Sequence, residues 1–127
     1  MAKARILVVD DEPVVLSVVA GALTKAGHEV TTAAGPLQAL EIVTTRGGFD
    51  VLVTDIVMPE MCGPELAQQT RLLLPLCAVV FMSGCAPAAN RFPEGSTFLG
   101  KPFSVSALLR AVERVIAEPS RCSRMAS

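Results

Sequence analysis

Charge is scarce in this sequence and has no excess of either sign. Of 127 residues 18% are charged, and eleven Lys and Arg against twelve Asp and Glu leave a formal net charge of −1. A chain so balanced has no general attraction for nucleic acid or for an anionic membrane surface, so neither is an expected partner. Long apolar runs are missing too. The longest, residues 13–23, is interrupted by Ser17 and Gly21 and falls well short of the roughly 20 residues that a membrane-spanning helix needs. The start, Met1-Ala2-Lys3-Ala4-Arg5, lacks the long apolar region and small-residue cleavage site of a secretion leader, so a cytoplasmic protein is expected. There is one histidine, and the four cysteines, Cys62, Cys77, Cys85 and Cys122, form no Cys-x-x-Cys pair, which argues against a zinc site. With no sign of secretion and ample apolar content, all four are expected to be free thiols.

What the chain does have is apolar residues, 51% of the total, with a mean hydropathy of +0.52. That is enough for one self-sufficient core and the opposite of a disordered composition. Short β-branched runs alternate with longer segments of helical period, and Gly or Pro marks each change, which predicts a parallel sheet. Strands are expected at 5–10, 29–33, 51–55, 78–82 and 97–100. Three of them are continuous apolar runs, as in strands covered by helices on both faces. Helices are expected at 13–26, with Val15, Val18, Val19, Ala22 and Leu23 inward, at 36–46, and from Pro64 to before Pro75. A last helix has Ser104 as N-cap, an inward stripe of Leu108, Leu109, Val112 and Ile116, and Pro119 as its stop. The connection 84–96 holds Pro87, Pro93, Gly84 and Gly95, which leaves room for at most a turn or two of helix at 86–90. Residues 119–127 read as a polar tail.

The few polar residues fall at strand ends. Asp10 and Asp11 close the first strand, Asp55 the third and Ser83 the fourth, while Lys101 follows the fifth. Parallel strands point their carboxyl ends to one rim, so these groups converge in the crevice where such sheets place their sites. Three close carboxylates raise one another's pKa unless a cation intervenes, and a hard divalent ion such as Mg2+, bound through oxygen, suits them. A carboxylate can then serve as the nucleophile of phosphoryl transfer, with Lys and Ser on the phosphoryl oxygens. Asp55, fixed by an apolar strand, is the candidate nucleophile, and the adjacent Asp10 and Asp11 are better suited to a metal. Singly, each has a plainer reading: Asp11 and Glu12 before Pro13 as a helix cap, Asp55 as a turn acid, Ser83 as a loop start, Lys101 as a surface lysine. Their coincidence at successive strand ends favours the site.

At these residues the chain resembles the receiver domain of two-component response regulators, including receivers fused to hybrid histidine kinases, over residues 4–118. The resemblance rests on the ordered set Ile6-Leu7-Val8-Val9-Asp10-Asp11-Glu12-Pro13, Asp55-Ile56-Val57-Met58-Pro59 with Gly63, Ser83-Gly84, and Phe98-Leu99-Gly100-Lys101-Pro102-Phe103. It implies an α/β, flavodoxin-like, doubly wound five-stranded parallel sheet of order 2-1-3-4-5, here with a short or missing fourth helix. It also implies that Asp55 accepts a phosphoryl group from a histidine kinase, phosphotransfer protein or small phosphodonor. Mg2+ would be bound by Asp11, Asp55 and the Val57 carbonyl, with Asp10 assisting. Lys101, before a cis Pro102, would bind phosphoryl oxygens, and Ser83 and Phe98 would form the switch. Such a domain is not a conventional enzyme but catalyses its own phosphorylation and dephosphorylation, with histidine kinase activity only in a parent hybrid kinase. A homodimer and an output partner are left open. Val57 and Cys85 offer an attacking water little hydrogen bonding, which predicts slow autodephosphorylation. His28, in a Gly27-His28-Glu29 turn, is expected on the surface and not as a phosphate donor.

Three other readings compete. A Mg2+-dependent phosphohydrolase of the haloacid-dehalogenase type would place its two acids two residues apart after the first strand, whereas Asp10 and Asp11 are adjacent. A degenerate receiver-like interaction module would not need the full acid set. A flavodoxin would need a Ser/Thr/Gly-rich phosphate loop after the first strand.

Overall fold

The computed structural model describes residues 3–84 and 95–117. Five strands, β1 (Arg5–Val9), β2 (Glu29–Ala33), β3 (Val51–Asp55), β4 (Ala78–Ser83) and β5 (Ser96–Gly100), form one sheet of order β2-β1-β3-β4-β5. Every pairing is parallel, with Leu7 opposite both Thr31 and Leu52, Val53 opposite Val80 and Phe81 opposite Phe98. Four helices are found among the described residues: α1 (Pro13–Lys25), α2 (Pro36–Arg46), α3 (Gly63–Leu73) and α4 (Val105–Ala117). The short helix expected at 86–90, Cys85, Cys122 and the tail 119–127 lie outside the described residues.

Helices α1, α2 and α3 each carry proline at one of their first two positions, where the missing N–H costs nothing. Gly27, at φ 101°, ends the turn after α1 in a conformation that a side chain would strain. Ser104 starts α4 as expected, its Oγ accepting a hydrogen bond from the Ala107 N–H at 3.0 Å.

Strand alternation divides the apolar residues between two layers. Ile6, Val8, Val51, Val53, Val80 and Met82 face α1 and α4, where they meet Val19, Leu23, Leu108 and Val112. Leu7, Val9, Leu52, Val79 and Phe81 face α2 and α3, where they meet Ala39, Val43, Leu66 and Ala67. All residues of β3 and β4 are buried, as strands covered on both sides must be.

Several boundaries and faces differ from the sequence reading. β1 stops at Val9 and leaves Asp10 just beyond it, β4 extends to Ser83 and β5 begins at Ser96. Val18, expected inward, is 58% exposed, because α1 turns only the narrow stripe of Val19 and Leu23 fully into the core. In α4 the third fully covered position is Val115, while Leu109 and Ile116 pack at the edge of the same layer. His28, expected on the surface, is buried: its Nδ1 accepts a hydrogen bond from the Ala4 N–H at 3.1 Å, which joins the residue before β2 to the residue before β1. No described helix is long and apolar enough to cross a membrane.

Candidate functional site

Because β1 lies beside β3, the residues that follow one strand and end the other are neighbours on the rim. Asp10, Asp11 and Asp55 each offer a carboxylate oxygen, and these atoms all lie within 4.8 Å of one another. Asp10 is fully buried, Asp55 is buried and Asp11 is exposed, so the cluster opens to solvent on one side. Lys101 enters from the far strand. Its Nζ lies 3.4 Å from Asp10 Oδ2, 3.6 Å from Asp55 Oδ2 and 3.7 Å from Glu12 Oε1. The Lys101–Pro102 peptide is cis, as the resemblance implies.

The local backbone fixes each group. The Lys101 N–H donates to the Ser83 carbonyl at 2.7 Å, which ties the end of β5 to the end of β4. Asp10 Oδ1 accepts the Glu12 N–H at 2.9 Å, which sets the turn into α1, and Asp55 Oδ1 accepts the Ile56 N–H at 2.9 Å. Burial pushes the Asp55 carboxyl above its usual value; the Asp10 carboxylate adds to this, while the Lys101 ammonium and the N–H groups of Ile56 and Val57 oppose it. Burial of Lys101 disfavours its charge, yet Asp10, Asp55 and Glu12 more than offset that and raise its pKa.

The structure thus brings together Asp10, Asp11, Asp55 and Lys101. Val57, two residues after Asp55, is 71% exposed beside them. Ser83 is buried at the same rim, but alternation along β4 puts its side chain on the α2/α3 side, in step with Phe81. Phe98 belongs to that layer as well, partly buried and in register with Phe81. Two residues of the site escaped the sequence reading. Thr54 is fully buried, and its Oγ1 donates to the Asp55 carbonyl at 3.0 Å. Glu12, in the sequence a possible helix cap and a member of the Asp10-Asp11-Glu12-Pro13 motif with no role of its own, makes no side-chain cap to α1 and turns to Lys101 instead. Its place beside two acids at a strand end was the available signal.

Three oxygen donors within reach of one point fit a hard divalent cation and do not fit a thiophilic one. A doubly wound parallel sheet with a carboxylate trio and one lysine at its carboxyl rim defines an α/β domain equipped for phosphoryl chemistry.

Comparison with known proteins narrows that class. Residues 6–113 match the family described as the response regulator receiver domain, and the chain belongs to that family. It is 38% identical over 118 residues to the sensor kinase CckA of Brucella abortus, a match that covers 89% of this chain and 12% of that protein. It is 34% identical over 116 residues to the response regulator receiver protein CpdR of the same organism, covering 88% of this chain and 96% of CpdR. A response regulator receiver protein from Sinorhizobium medicae superposes with a TM-score of 0.83 at 32% identity, over 91% of this chain and 96% of that one. The chain is therefore a phospho-accepting receiver domain of two-component signalling, of a family that binds Mg2+ at its acidic pocket and interacts with histidine kinases or phosphotransfer proteins. This answers the phosphohydrolase and flavodoxin alternatives.

Proposed function

We propose that Asp55 is the phosphoryl acceptor, and that the domain spans residues 4–118 and works in the cytoplasm. The observation that carries the reading is the placement of Asp55 between two further carboxylates and the Lys101 ammonium at one rim. An Asp55 oxygen attacks the phosphorus of a phosphohistidine; a P–O bond forms as the P–N bond breaks, and the imidazole nitrogen keeps the electron pair. Asp11, Asp55 and the Val57 carbonyl, with Asp10 assisting, would hold Mg2+. Bound there, Mg2+ supplies the positive charge that lets a carboxylate approach an anionic phosphoryl group. Lys101 neutralises a phosphoryl oxygen from the β5 side. Ser83 bonds another by turning toward the acid cluster, and Phe98, in the same layer, moves inward as it does. The resulting change in the exposed surface is what an output partner reads.

The test is intact-mass measurement after incubation with acetyl phosphate, with and without Mg2+, on the wild type and Asp55→Asn. A Mg2+-dependent gain of one phosphoryl group that the variant lacks is the expected result. No gain in the wild type would favour a degenerate interaction module, and a gain that persists in Asp55→Asn would place the acceptor at another residue.

A further inference from the structure

Glu12 occupies the N-cap of α1, where an acidic side chain ordinarily accepts hydrogen bonds from its own helix, yet it accepts none. Its backbone is extended, at φ −96° and ψ 113°, held by Pro13 on one side and by the bond from its N–H to Asp10 Oδ1 on the other. From that fixed base the carboxylate lies 3.7 Å from Lys101 Nζ. Asp10 thus serves both partners, taking the Glu12 N–H on Oδ1 and the Lys101 ammonium on Oδ2. Of the three carboxylates around Lys101, those of Asp10 and Asp55 are almost wholly covered, and that of Glu12 is 65% exposed.

We propose that Glu12 is a positioning residue that holds the Lys101 ammonium on the solvent side of the acid cluster and competes with an incoming phosphoryl group for it. The inference rests on the reading of Asp55 as acceptor and Lys101 as a phosphoryl ligand. Phosphorylation turns the Asp55 carboxylate into a neutral acyl group carrying a dianionic phosphoryl, so the Lys101–Asp55 contact is replaced by a Lys101–phosphoryl contact. The Glu12 contact remains, and it opposes full commitment of the ammonium. An exposed ion pair of this kind sets the size of the effect at about two- to fivefold in affinity.

The experiment titrates beryllium fluoride, a stand-in for the phosphoryl group, at saturating Mg2+ by calorimetry. The proteins are the wild type, Glu12→Gln, Glu12→Asp, Lys101→Ala and the Glu12→Gln/Lys101→Ala pair, with acetyl phosphate labelling rates alongside. Glu12→Gln removes the charge, whereas Glu12→Asp keeps it but is too short to reach Lys101. Both are expected to bind about two- to fivefold tighter and to label faster, and Glu12→Gln is expected to have no effect once Lys101 is gone. Tighter binding in Glu12→Gln alone would reduce the effect to general charge and overturn the proposal. So would an equal effect without Lys101, or weaker binding in Glu12→Gln. Because Glu12→Asp and Glu12→Gln do not disturb the buried Asp10, their comparison decides even if Lys101→Ala folds poorly. A wild type that binds no beryllium fluoride and takes no phosphoryl group would instead overturn the acceptor reading beneath it.

Discussion

Gly63, the first residue of α3, lies directly against the carbonyl of Asp55, and a Cβ at this position would collide with the Asp55 backbone. Its N–H donates to the Ile56 carbonyl at 2.7 Å, so the loop 56–62 leaves the end of β3 and is drawn back onto it. The position demands glycine for space, since the obstacle is backbone and cannot rotate away. Gly63→Ala is expected to cost about 1–3 kcal/mol in urea unfolding and to slow acetyl phosphate labelling of the molecules that remain folded. Full activity with unchanged stability would show that α3 can retreat from Asp55.

The bond between the Ala4 N–H and His28 Nδ1 predicts a structural role far from the rim. His28→Ala leaves a buried donor unpaired and is expected to lower unfolding free energy by about 1–3 kcal/mol. His28→Asn, which can present an acceptor at a similar place, should recover part of the loss. Phosphorylation of either folded variant should match the wild type.

Asp55 gives a pH dependence whose sign follows from its raised pKa. A carboxyl that holds its proton more tightly when folded favours the folded state at pH below its unfolded value near 3.8, and that contribution is lost as pH rises through the folded value. At neutral pH the ionised Asp55 therefore destabilises the metal-free domain. Asp55→Asn should melt at a higher temperature than the wild type at pH 7 without Mg2+, and the gap should close as the pH is lowered toward 3.8. Mg2+ should reverse the order by stabilising the wild type, by about 2.7 kcal/mol at a hundred times its Kd.

Val57 stands exposed two residues after Asp55, the proposed acceptor, and its side chain can neither orient nor deprotonate a water. Val57→Asn or Val57→Glu is expected to shorten the phosphorylated lifetime, up to about tenfold, which is roughly 1.4 kcal/mol off the barrier. A lifetime unchanged on following phosphate loss by mass would count against the expectation that Val57 slows autodephosphorylation.

Much of this architecture was legible in the sequence because its punctuation is local. Pro13 and Pro36 open their helices, Pro64 stands second in its own, and Gly27 and Gly47 stop the first two whatever the rest of the chain does. The acid trio was legible because parallel strands send their ends to one rim. The features that escaped depend on distant partners. Nothing near His28 announces that the Ala4 N–H needs an acceptor, since the two are 24 residues apart. Val18 and Ile116 have the period of buried residues, but how wide a stripe a helix buries is set by how it rolls against the sheet and its neighbours. Glu12 looked like a cap because a local rule was available, while its real partner lies on β5's far end.

The division of the sheet into two layers has a mechanical consequence. Strand alternation directs Asp10, Asp55 and Lys101 to the side of α1 and α4 and Ser83 to the side of α2 and α3, where Phe98 packs, with Phe81 lying between β3 and Phe98. In the proposed switch the sheet is a bulkhead between a reaction chamber and a set of moving parts, and Ser83 is the fitting at its lip. In that arrangement, repacking around Phe81 and Phe98 would reset how strongly the domain responds to phosphorylation while the acid cluster stays where it is.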